Sequence, residues 1–75
     1  MTPEKLAAKV RPKIEGMIPD LCDGLNSDDD RRDALQDYAG DFIYDRYGVG
    51  VPVIIIRKAA VLIAEYYFGK EEETC

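Results

Sequence analysis

Seventy-five residues make one domain, and a domain of this size hides only about 60% of the surface its unfolded chain exposes, so a lone monomer is marginally stable. An apolar share of 47% with 33% charged residues suits a folded globular protein rather than a disordered one. The net charge of −5 argues against sequence-independent nucleic-acid binding, which needs surplus Lys and Arg, and the lack of any histidine removes the commonest zinc ligand and general base.

The two cysteines, Cys22 and Cys75, are too few for a zinc site built from thiolates. With no secretory leader before them, they are expected to be reduced thiols of a cytoplasmic protein. Charge is unevenly placed along the chain. Residues 1–18 carry Lys5, Lys9, Arg11 and Lys13 against Glu4 and Glu15, a local +2. Residues 20–45 carry nine Asp against Arg31 and Arg32, a local −7, and the rest is neutral.

Thr2-Pro3-Glu4 starts a first helix: a hydroxyl to cap it, a proline where a missing N–H costs nothing, and an acid at the positive end of the dipole. Leu6, Val10, Ile14, Met17 and Ile18 recur at helical spacing as one apolar stripe. Pro12 falls on the opposite face, where the carbonyl it leaves unpaired meets water, so a kinked helix is expected, ending at Gly16 and Pro19 near Ile18. Residues 19–27 are dense in turn formers and read as a connection that Leu21 and Leu25 pin to the core.

Ser27 followed by Asp28, Asp29 and Asp30 opens a second helix, with a cap and three carboxylates in the first turn. Its buried side is expected to hold Leu35, Tyr38, Ala39, Phe42, Ile43 and Arg46. Opposite, at ~100° per residue, Asp30, Asp33, Asp37, Asp41 and Asp45 fall within a wedge of roughly 120°. Like charges at i,i+4 cost a few tenths of a kcal/mol each. This stripe is read as a solvated face or, functionally, as an acidic docking stripe for a basic partner. Lys5, Lys9, Arg11 and Lys13 of the first helix form the candidate basic counter-surface.

Gly48-Val49-Gly50 makes a turn and Pro52 starts a third helix. VPVIII alone is compatible with a strand. The unbroken continuation RKAAVLIAEYYF, with three alanines, favours helix. Fourteen of the eighteen residues from Val51 to Phe68 are apolar, yet Arg57 and Lys58 interrupt the run, and it is shorter than the ~20 residues of a membrane span. On a helical wheel Lys58 and Glu65 mark a polar line, with Ile56, Ala60, Ile63 and Tyr67 opposite as the core face. Two apolar flanks remain, Ile55/Leu62/Tyr66 and Ile54/Val61/Phe68. This surplus predicts either a fully central helix or a strip that another subunit covers. Gly69 caps the helix, and Lys70 to Cys75 form a short acidic tail.

The expected fold is therefore all-α: a single small three-helix domain over 1–75, with helices roughly at 3–18, 28–47 and 52–68. No nucleophile–base pair, glycine-rich phosphate loop or metal cluster is visible, so no enzyme, cofactor or metal is expected.

Asp41-Phe42-Ile43-Tyr44-Asp45-Arg46-Tyr47-Gly48, then Val51-Pro52 and a long apolar helix ending Glu65-Tyr66-Tyr67-Phe68, resembles the head–tail connector proteins of tailed bacteriophages, the head-completion, adaptor or neck proteins. Pro52, Lys58, Ala59 and Tyr66 stand at places comparable to that family's recurrent pattern of proline, Lys or Arg, Ala, apolar run and Tyr. The resemblance covers roughly residues 27–70. The departures are a short chain, the many Asp, and Lys70-Glu71-Glu72-Glu73 where an Arg-Glu ending is common. The resemblance implies a non-enzymatic virion protein at the neck, assembled in the host cytoplasm. It further implies a homo-oligomeric, dodecameric ring that seats on a portal protein, passes DNA without sequence-specific binding, and meets a tail or stopper protein, with no membrane contact. The alternative class is a small acidic inhibitor or regulator whose carboxylates mimic DNA phosphates.

Overall fold

The computed structural model describes residues 2–69, and the expected acidic tail from Lys70 to Cys75 lies outside them. The fold is all-α. Helix α1 spans Pro3–Ile14, a 3-10 turn Glu15–Met17 leads into a short α2 at Ile18–Leu21, α3 spans Asp28–Tyr47 and α4 spans Val53–Phe68. Among the described residues there is no strand, and the apolar run is helical from Val53 on, as its continuation predicts.

The starts of α1 and α3 follow from their capping residues. The Thr2 hydroxyl accepts from the Lys5 N–H at 3.2 Å and the Ser27 hydroxyl from the Asp30 N–H at 3.1 Å. At the end of α3 the Gly48 N–H still donates to the Tyr44 carbonyl, and a Cβ at position 48 would collide with that same oxygen, so the position requires glycine. Gly50, at φ 84, then turns the chain into α4.

Between α1 and α3 the chain differs from the sequence expectation. Pro19 does not stop the helical path near Ile18. It has no N–H to give the Glu15 carbonyl, and the Ile18 N–H takes that oxygen instead, one residue short of α-helical spacing. The local tightening shifts the path into α2, so the connection shrinks to residues 22–27. The stripe of α1 is corrected with it: Leu6, Val10 and Ile14 are fully buried and joined by Ala7, Ile18 is half-buried, and Met17 is exposed.

Helix α4 is the centre. It packs against both α1 and α3, which touch each other little, and the molecule is a slab 36 × 32 × 16 Å. Arg11 of α1 lies over Tyr66 and Arg32 of α3 reaches Phe68 and Gly69. Hence α1 runs parallel to α4 and α3 antiparallel to it. The core joins Leu6, Val10 and Ile14 to Leu35, Ala39 and Ile43, and to Ile56, Ala59, Ala60, Ile63 and Ala64. Alanines at three of the five buried α4 positions let both neighbours come close to its axis. Around this core Ile18, Leu21, Tyr38, Phe42 and Tyr47 pack as a partly buried rim.

Candidate docking surface

Helix α3 buries Leu35, Ala39 and Ile43, three residues at i,i+4 spacing, and turns the side away from them to solvent. Asp30, Asp33, Asp37, Asp41 and Asp45 are all exposed. The ion pairs of α3 lie elsewhere among the described residues: Arg31 with Asp28 at 3.3 Å and Arg32 with Asp29 at 2.6 Å. The acidic stripe is thus an open row of carboxylates. Arg46, expected on the buried side, is exposed; its guanidinium stands 5.0 Å from the centre of the Phe42 ring and covers that half-buried aromatic from outside.

Sequence reasoning missed a residue in this row. Tyr44 is 66% exposed, and at ~100° per residue it falls between Asp33 and Asp37 on the wheel. Its position within the acidic wedge was the available signal. Tyrosine is a common interface anchor because it offers a large, rigid, amphipathic surface.

Tyr44 stands at a groove of ≈ 630 Å³ between α3 and α4. Gln36, Asp37 and Asp41 line the α3 wall beside it, and Val53, Arg57 and Val61 the α4 wall. Gly40, Ile56 and Ala60 also line it, and the position of a Cβ at residue 40 lies 3.9 Å from that of Ala60. Small residues here allow the two helices to approach. A second groove of ≈ 290 Å³ lies on the other side of α4, lined by Pro3, Glu4, Arg57, Lys58, Val61 and Leu62. Arg57 and Val61 border both and form the ridge between them.

The apolar flanks of α4 are absorbed unevenly. Ile55, Leu62 and Phe68 are half-buried and pack against the core, Val61 is half-buried, and Ile54 is 58% and Tyr66 62% exposed. Opposite the core, Lys58 is exposed and Glu65 half-buried. Helix α4 is central and still leaves apolar surface at both ends. Tyr44, Val49, Val53 and Ile54, four of the six large hydrophobic residues most exposed among those described, gather at the α3–α4 hairpin end.

The proposed basic counter-surface separates into two parts. Lys5, Lys9 and Lys13, at i,i+4 spacing, form one exposed row, with the Lys9 ammonium 5.3 Å from the centre of the Tyr47 ring. Arg11 stands on another side of α1, its guanidinium 3.8 Å from the centre of the Tyr66 ring. Beyond it, burial raises the Tyr67 hydroxyl above its ordinary pKa, and the nearby Glu15 carboxylate adds to the effect.

Among the described residues no three His, Cys, Asp or Glu side chains come together as a metal site, and no helix is long and apolar enough to cross a membrane. Cys22 is a half-buried free thiol in the connection after α2; Cys75 lies outside the described residues. No protein-family profile, curated protein or solved structure matches this chain.

Proposed function

We infer that this protein acts by assembly rather than by catalysis, as a head–tail connector of a tailed bacteriophage. The observation that supports the reading is the cluster of exposed Tyr44, Val49, Val53 and Ile54 at the hairpin end, with Tyr66 open at the opposite end of α4. Apolar surface left open at two ends of a marginally sized domain is what a subunit contributing two different faces to a ring requires. The ring seats on a portal protein, and its free face receives the tail or stopper protein. Sequence resemblance over residues 27–70 supports the connector reading, and the exposed side chains support assembly.

Purified particles test this. Mass spectrometry should find the chain among the virion proteins, and electron microscopy should place a ring of it at the neck. Particles complete in head and tail but lacking the chain would overturn the reading.

A second reading rests on a separate observation, the exposed and unpaired row from Asp30 to Asp45. In that reading the protein is an acidic regulator that occupies a basic groove of a nucleic-acid enzyme. Competition with DNA for that enzyme, lost when Asp37, Asp41 and Asp45 become Asn, distinguishes it.

A further inference from the structure

We propose that the α3–α4 groove is a docking site for a basic amphipathic helix of another protein, seated on Tyr44 and held by Asp37 and Asp41. This rests on reading the chain as a binding protein, and on neither the ring nor the virion.

Length comes first. From Gln36 to Tyr44 on one wall and from Val53 to Val61 on the other, the groove runs about 12 Å, a little over two helical turns. That is the span over which an incoming helix presents apolar residues at i, i+4 and i+7. The lining suits such a stripe: Val53, Ile56, Ala60 and Val61 are apolar.

Charge identifies the occupant. Asp37 and Asp41 stand on the α3 wall, and Asp33 and Asp45 continue their row beyond the groove; Arg57 is the one cation among the lining residues. An acidic helix would meet like charge along that whole wall, whereas one carrying Lys or Arg beside its apolar stripe meets complementary charge. A second copy of this chain is a poorer match. Its lysine row on α1 has Ala8 and Pro12 between the cations rather than large apolar anchors. Its α4 sets exposed Val53 and Ile54 beside exposed Arg57 and Lys58, but Val53 and Arg57 line this same groove and Val61 and Leu62 further along are half-buried, so that helix offers fewer free anchors than two turns of groove can take.

The test uses the full chain and three synthetic helical peptides. The first carries leucine at i, i+4, i+7 and i+11 with lysine flanking the stripe. In the second the lysines become glutamate, and in the third serine replaces leucine with every charge kept. Fluorescence anisotropy should show saturable binding of the first peptide only. Tyr44→Ala should weaken it about tenfold, and the pair Asp37→Asn with Asp41→Asn by a similar factor. Asp30→Asn with Asp45→Asn removes the same charge outside the groove and should change affinity less than about twofold. All these positions are exposed, so the variants keep the fold. Equal binding of the serine peptide, or equal loss from the two aspartate pairs, would reduce the interaction to unspecific charge attraction and overturn the proposal. So would no binding of the leucine–lysine peptide. A chain that binds this peptide yet is absent from virions keeps the groove and loses the connector reading; the converse result does the reverse.

Discussion

Arg32 Nε donates to the Gly69 carbonyl oxygen at 2.7 Å, joining the first turns of α3 to the last turn of α4 across 37 positions of sequence. The same guanidinium donates to the Phe68 carbonyl at 3.3 Å and pairs with Asp29 at 2.6 Å. A cation here satisfies carbonyls that the end of α4 leaves without intrahelical partners and lies at the negative end of its dipole. The side chain is only 14% exposed, so the contact is better shielded than an ordinary surface ion pair.

Arg32→Ala should therefore destabilise the fold by about 1–2 kcal/mol, between the values for an exposed ion pair and a buried charged hydrogen bond. Arg32→Lys should recover part of the loss, because one ammonium cannot reproduce the fork that reaches two carbonyls and a carboxylate. Asp29 is mostly exposed, and Asp29→Asn should cost much less. Urea unfolding of the three variants orders them.

Ser27 gives a second stability test. Its hydroxyl takes the Asp30 N–H at the start of the longest helix, and Ser27→Ala should cost about 1 kcal/mol, with Ser27→Asp close to the parent. In a domain of this size each kcal/mol lowers the melting midpoint by about 4–8 °C. Thermal unfolding followed by circular dichroism resolves a shift of that size.

Tyr67 makes stability depend on pH at the alkaline end. Burial, with Glu15 beside it, raises its folded pKa above the ordinary value of 10.0. The unfolded chain therefore loses this proton first as pH rises. The contribution is fully present below pH ~10 and is lost as pH climbs from there through the folded pKa. Tyr67→Phe should flatten part of the decline in melting temperature above pH ~10 and leave the neutral-pH slope unchanged.

The extent to which sequence revealed the fold follows from how local each determinant is. The bounds of α3 were legible because Ser27 and Gly48 act within four residues of themselves, through the Asp30 N–H and the Tyr44 carbonyl. The start of α4 was legible from Pro52 for the same reason. Glu15 to Leu21 was not, because Pro19 redirects one carbonyl bond instead of ending the helix, and nothing in its neighbours announces which outcome prevails. Arg46 was placed inside on helical spacing alone, although a long charged side chain reaches solvent from the same position while covering Phe42. The acidic row was fully legible as an exposed face. The groove beside it was not: it needs Gly40 and Tyr44 of α3 opposite Val53 and Arg57 of α4, a pairing set by how two helices cross. The division of the basic residues lies in their spacing, since Lys5, Lys9 and Lys13 recur at i,i+4 and Arg11 does not, whereas the seat of Arg11 on Tyr66 comes from packing.

Self-association is the property on which the connector reading depends most, and the mass of the pure protein tests it most directly. Light scattering across a concentration series, at low and high salt, should give a particle several times the 8.4 kDa chain. That mass should persist at high salt, because the open side chains at the hairpin end and on Tyr66 are apolar. Ile54→Glu, at an exposed position, should lower it toward the monomer. An 8.4 kDa particle at every concentration and salt would contradict the account.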